Sequence, residues 1–303
     1  MAFDPSAAGA LSRRAFLGRG LAVAGGLAVA GAAGGVLADA AGTAPDPKTY
    51  FPLVLSSDLY ASAQPQRLVL ALGHAGSSGR RYASGPSVSV RFRGPQGRSW
   101  TPFTKTAYDR VGLPKGRGVY VAQPTFDTPG VWRVQALAQG QKVPFTLQVN
   151  PAPGTIVPGT AAPRAASPTT TDPLGVDPIC TRDPMCPLHT QSLSTVIGAG
   201  KPVAALFATP ARCQSAYCAP VLDEFLDVVK RYGDRIVPVH IEIYKSLTGP
   251  LTDLVPTVAA WNLPSEPWLF GIDGAGTVQS RIDGAFGGTE MQALLDALVG
   301  KKG

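Results

Sequence analysis

The residues best equipped for chemistry in this 303-residue chain are its four cysteines, which fall into two close pairs: Cys180 with Cys186, and Cys213 with Cys218. Two thiols this close can cycle between dithiol and disulfide, hold a soft metal ion as thiolates, or form a bridge that only staples the chain. Of the three possible pairings, sequence proximity favours 180 with 186 and 213 with 218. Arg212 precedes Cys213, and a helix is expected to open shortly after it. A cation and a helix N-terminus together lower a thiol pKa from about 8.5 toward 7 or below, where the reactive thiolate predominates. Cys213 is therefore the candidate nucleophile and Cys218 the resolving thiol. Cys180 and Cys186, flanking Thr181-Arg182-Asp183-Pro184-Met185, read first as a structural disulfide and second as a relay that exchanges with Cys213 and Cys218. His240 lies on an expected strand. An imidazole on a strand is more commonly a core or surface residue.

The elements that must position these residues are legible in the last 125 residues or so. Pro202 to Ala208 is an uninterrupted apolar run, expected as a buried strand. Pro220 to Tyr232 has the pattern of a helix: Pro at its start, Asp223 and Glu224 in the first turn, Lys230 and Arg231 in the last, and Gly233 after it. Ile236 to Ile243 is a second strand. Trp268 to Ile272 and Thr277 to Ile282 form a hairpin across Asp273-Gly274-Ala275-Gly276. A last helix is expected from Thr289, capped by its hydroxyl with Gln292 reaching back, to near Gly300.

This order over residues 179–303 resembles the thioredoxin fold. Gly200-Lys201-Pro202-Val203 is similar to the start of secreted, redoxin-like members of that superfamily. Cys213 and Cys218 lie at the strand-to-helix junction where the family keeps its redox pair. Ser265-Glu266-Pro267-Trp268 puts Pro267 where the family has its cis-proline. The chain departs from the family in having four residues between Cys213 and Cys218, Arg212 rather than Trp before them, and Phe207 where thioredoxin carries a buried acid. The resemblance implies a thiol-disulfide oxidoreductase that exchanges disulfides with partner proteins or small thiols, with Pro267 presenting backbone to the partner chain. Such a reaction needs an electron donor that the sequence does not name and no cofactor. The alternatives are copper binding or delivery through Cys213, Cys218 and His240, and a non-catalytic binding module with structural disulfides.

The rest of the chain is organised differently. Residues 1–40 carry Arg13-Arg14-Ala15-Phe16-Leu17, a weakly apolar Ala/Gly stretch and Ala38-Asp39-Ala40. They resemble a twin-arginine export signal, which implies an extracytoplasmic or secreted protein, membrane-tethered if the signal is retained. Residues 48–150 alternate apolar and polar positions in short runs divided by Gly- and Pro-rich turns. An all-β sandwich is expected there, similar at Phe126 to Val149 to the last strands of immunoglobulin-like domains. Residues 151–178 are Pro-rich and expected to be a semi-extended spacer. The net charge of +7 is uneven: residues 46–150 hold 13 basic and 4 acidic side chains, and residues 172–303 hold 10 basic and 14 acidic. Arg80, Arg81, Arg91, Arg93, Arg98 and Arg117 are first a solvated face and second a surface for an anionic cell-surface partner; nucleic acid is not expected of an exported chain. With 45% hydrophobic and 16% charged residues, a disordered chain is excluded.

Overall fold

The computed structural model describes residues 49–76, 79–82, 87–114, 117–213 and 216–300. The expected export signal, residues 1–40, lies outside them, as do the side chains of Arg80 and Arg81. No helix among the described residues is long and apolar enough to cross a membrane.

The N-terminal region is a pair of β-sheets. One has the order β1 (Tyr50–Val54), β2 (Leu68–Gly76), β7 (Val119–Ala122), β6 (Ala107–Asp109), with β3 (Gly79–Tyr82) on β2; the other has β5 (Thr104–Lys105), β4 (Val88–Arg93), β8 (Gly130–Ala138), β9 (Gln141–Val149). In β4, Val88, Val90 and Phe92 point inward while Ser89, Arg91 and Arg93 point out, the period-2 alternation of a strand with one solvated face. β2 breaks that alternation: Leu68-Val69-Leu70-Ala71-Leu72 is wholly buried. Leu68, Leu70 and Leu72 pack into the sandwich, and Val69 and Ala71 pack against the C-terminal region. A strand covered on both faces has no place for a polar residue, which is why its sequence is an unbroken apolar run.

The C-terminal region is a mixed α/β layer with strand order β11 (Val237–Ile241), β10 (Val203–Phe207), β12 (Trp268–Ile272), β13 (Val278–Asp283). β10 pairs parallel with β11 and antiparallel with β12. The helices are α1 (Leu193–Val196), α2 (Cys218–Val229), α3 (Pro256–Ala260) and α4 (Gly288–Val299). α2 and α4 cover one face of the sheet, together with Leu55, Val69, Ala71, Val119 and Val121 of the sandwich. On the other face Phe207, Phe270 and Val239 pack with Trp261 and α1. The arrangement loosely matches the expected immunoglobulin-like and thioredoxin-like pair.

Three local expectations are corrected. α2 begins at Cys218, two residues before Pro220, and ends at Val229. α4 has Gly287 at its N-cap with no side-chain cap; Thr289 lies inside the helix, so its hydroxyl cannot cap it. The Pro-rich segment 151–178, expected as a semi-extended spacer, runs through turns and isolated bridges and is tied down at several points. Gly154 and Thr155 donate backbone N–H groups to Asp58, Ala162 pairs with Gly276, Ser167 Oγ accepts from Leu193, and Asp177 donates to the Lys245 carbonyl. Ala162 and Val176 are buried in the sheet's outer core. Prolines leave few donors to satisfy, and the small residues between them let the backbone lie flat against the sheet.

Two largely buried arginines, with side chains 10% and 11% exposed, clasp the regions together. Arg67 donates in bidentate fashion to Glu290 at 2.6 and 2.7 Å and to the carbonyls of Asp283 and Ala285. In the opposite direction Arg281 donates to Asp58 at 2.9 Å and stacks on Tyr60 and Trp268. Asp283, buried, accepts from the N–H and hydroxyl of Ser57. Gly284 (φ 71°) lies where a Cβ would run into the Leu55 carbonyl. Removing one partner of a buried pair strands the other charge, so Arg67→Ala should cost about 3 kcal/mol or more. Denaturant unfolding would measure it; a loss below about 1 kcal/mol would show that the clasp is solvated and weak.

Candidate functional site

The loop from the end of β10 to α2 carries the first site. Cys213 and Cys218 are joined in a disulfide with Cα atoms 5.8 Å apart. Cys218 opens α2 and is completely buried, while Cys213 is half-buried. The Cys218 N–H points at the Cys213 sulfur at 3.3 Å, so a thiolate formed there meets the positive end of the helix. Arg212 is engaged elsewhere: its guanidinium donates to the carbonyls of Ser246 and Gly249 and lies over the Tyr244 ring, anchoring the loop after β11. Tyr217, buried between the cysteines and the sandwich, donates its hydroxyl to the Arg117 carbonyl.

The sequence places no acid behind this pair, because Phe207 occupies the family's position. The structure supplies one from the turn that precedes β12. Glu266, immediately before Pro267 and joined to it by a cis peptide bond, brings a carboxylate oxygen within 4.8 Å of both sulfurs. Its Oε2 accepts from the Thr209 N–H at 2.8 Å, while Oε1 is buried with no hydrogen-bond partner. Burial pushes the carboxyl up to about 8, against the Thr209 hydrogen bond, which favours the charged form. The acid is therefore neutral at moderate pH and able to hold or release a proton beside the sulfurs.

The second site replaces an expectation. Cys180 and Cys186 are free buried thiols rather than a disulfide. They face His189 and His240, and the four ligand atoms all lie within 4.8 Å of one another. His240 Nδ1 is 3.4 Å from Cys186 Sγ, 3.9 Å from Cys180 Sγ and 3.0 Å from His189 Nε2. The expected copper set of Cys213, Cys218 and His240 is not brought together: in β11 the His240 ring is turned toward residues 180–189, whose Leu188 carbonyl accepts its backbone N–H. Its Nε2 is 2.9 Å from the Ala208 carbonyl, which can only accept, so Nε2 carries the proton and Nδ1 presents a lone pair to the thiols.

Electrostatics at this cluster are those of closely coupled groups. The hydrogen bond from Cys186 holds Cys180 far below the ordinary thiol range, and the same contact, with burial, pushes Cys186 up. Burial lowers His189. Burial also opposes charge on His240, but the hydrogen bond to Cys180 and the charge of Glu242 outweigh it and raise its pKa. Glu242 in turn accepts from the N–H and hydroxyl of Thr181, next to Cys180. The signal for His189 in the sequence is its place three residues after Cys186, a spacing that lets both reach one ion.

No family model and no curated protein matches this chain. Among solved structures, a putative thiol:disulfide interchange protein DsbE from Chlorobium tepidum is 16% identical, with a TM-score of 0.30, over 48% of this chain and 100% of that one. A thiol:disulfide interchange protein of the thioredoxin family from Chlorobium tepidum TLS is 16% identical, with a TM-score of 0.32, over 48% and 98%. The Lin-41 filamin domain is 13% identical, with a TM-score of 0.25, over 36% and 100%. The chemistry of this chain is read from the geometry of the two cysteine sites.

Of the arginines considered as a basic face, Arg91 donates to Gln135 and lies over the rings of Trp100 and Phe103, and Arg93 lies over Trp100.

The raised Glu266 carboxyl makes stability depend on pH with a definite sign. Below about pH 4.5 the group is neutral folded and unfolded; above that the unfolded chain ionises first, so its contribution is lost progressively up to about pH 8. The loss is on the order of 5 kcal/mol. Relative to wild type, oxidised Glu266→Gln protein should lack this decline when unfolded in denaturant between pH 4.5 and 8.5. Parallel pH profiles for the two proteins would contradict the assignment.

Proposed function

We propose that this chain is a metal-binding redox protein, in which a buried divalent transition-metal ion is held by Cys180, Cys186, His189 and His240 beside the disulfide couple of Cys213 and Cys218. The observation that carries the metal reading is the convergence of four donor atoms with His240 Nδ1 left open by the Ala208 carbonyl. Two thiolates and two imidazoles suit Zn²⁺ in tetrahedral geometry. Charge supports the same choice. A divalent ion with two thiolates is neutral, whereas Cu⁺ would leave a net negative charge among residues that are 7% exposed or less. Burial of all four ligands also favours a retained ion over one handed to a partner.

A second reading, thiol–disulfide exchange at Cys213 and Cys218, is favoured by the half-exposed sulfur at a helix N-terminus and the buried one behind it. In the reduced protein the Cys213 thiolate would attack a partner disulfide and expel one partner thiolate. Cys218, giving its proton to the ionised form of Glu266, would then attack the Cys213 sulfur and expel the second. The partner gains two electrons, and the Cys213–Cys218 bond is restored. Proteins or small thiols are the proposed partners, and the twin-arginine-like sequence supports an extracytoplasmic setting. The arginine-rich strands of the sandwich support an anionic cell-surface partner.

Titration of the reduced, metal-free protein with Co²⁺ should show one ion per chain, with thiolate charge-transfer and tetrahedral ligand-field bands. Replacing His189 or His240 by Ala should weaken binding by more than about 100-fold. A Cys213→Ser/Cys218→Ser variant should bind unchanged. Binding that survives loss of Cys180 and Cys186 would refute the metal reading.

A further inference from the structure

The metal cluster and the disulfide share one peptide group. Ala208 and Thr209 directly follow β10, and their common amide is gripped at both ends. Its carbonyl accepts from His240 Nε2 at 2.9 Å, and its N–H donates to Glu266 Oε2 at 2.8 Å. Glu266 stands within 4.8 Å of both disulfide sulfurs. A second link runs alongside, because the Thr181 hydroxyl, next to Cys180, accepts from the N–H of Ala211, two residues before Cys213. The amide is held in place by the sheet on either side: Ala208 donates to the Ile241 carbonyl, and the Thr209 hydroxyl accepts from Ile243.

We propose that metal occupancy of the Cys180, Cys186, His189 and His240 site biases the Cys213–Cys218 couple toward its dithiol form through the Ala208–Thr209 peptide. The proposal rests on the metal reading above and adds regulation to it. A cation on His240 Nδ1 withdraws electron density from the ring and makes Nε2–H a stronger donor to the Ala208 carbonyl. Hydrogen bonds in series polarise one another, so the Thr209 N–H becomes a stronger donor to Glu266. That favours a carboxylate whose second oxygen, Oε1, has no donor while the sulfurs are bonded to each other. Reduction supplies a donor: the disulfide takes up two electrons and two protons, and an S–H is formed within 4.8 Å of a carboxylate oxygen of Glu266. The metal therefore stabilises the product of reduction more than the disulfide. By linkage, the reduced protein must hold the metal more tightly by the same factor.

The test equilibrates the full chain, with and without one equivalent of Zn²⁺, in glutathione buffers. Two glutathione thiols supply the electrons and protons and become one glutathione disulfide. Thiols are trapped by alkylation, the Cys213–Cys218 fraction is read by peptide mass, and bound Zn²⁺ is counted in the same samples. The expected result is one Zn²⁺ per chain and a dithiol/disulfide constant at least about five-fold higher with metal. In Glu266→Gln the Zn²⁺ count should stay at one and the difference should shrink below about two-fold. One Zn²⁺ per chain with an unchanged constant overturns the coupling and leaves the metal reading standing. A shift that persists in Glu266→Gln overturns the peptide route. Absence of bound Zn²⁺, in protein whose folding is verified by circular dichroism, overturns the metal reading and the coupling with it.

Discussion

Strand β10 is paired on both edges, and the rest of the C-terminal region takes its position from that. Its five residues are all buried, with β11 in parallel register on one side and β12 antiparallel on the other. A strand fixed along both edges delivers its last residues to a defined point, and there the two sites meet. His240 arrives on β11, Glu266 from the turn before β12, and the cysteine loop leaves from the strand itself. None of these side chains could be held at ångström precision by a loop alone.

The disulfide of Cys213 and Cys218 is legible because everything that brings it together is local: an apolar strand, two cysteines and a helix within 27 residues of sequence, Val203 to Val229. The metal cluster was not, because its ligands come from segments 51 to 60 residues apart and proximity along the chain argued for a disulfide instead. Cys180 and Cys186 do come together as spacing suggested, but two imidazoles share their space. Glu266 stood out in the sequence only as the neighbour of Pro267; its role appears only when β12 is laid beside β10. The Pro-rich segment reads as a spacer by composition, since composition reports how little a segment can bury and not what surface it will find.

Three buried carboxylates show how differently one fold can treat the same group. Asp283 has the N–H and hydroxyl of Ser57 and stands near Arg67, at 3.9 Å. Glu242 has the N–H and hydroxyl of Thr181. Glu266 alone of the three retains a buried oxygen without a donor. The first two carboxylates connect segments of the chain. An unsatisfied acid costs stability, and its persistence beside a disulfide is the pattern of a group kept for proton chemistry.

The interleaving of Leu55, Val69, Ala71, Val119 and Val121 with the side chains of α2 and α4 also bears on how the two halves can be inherited. A boundary drawn in the Pro-rich segment would divide a single hydrophobic interior. Either half, cut there, would present to water the apolar face that the other now covers. The sandwich is thus part of the interior of its neighbour, and recombination that moved one half without the other would have to rebuild that face.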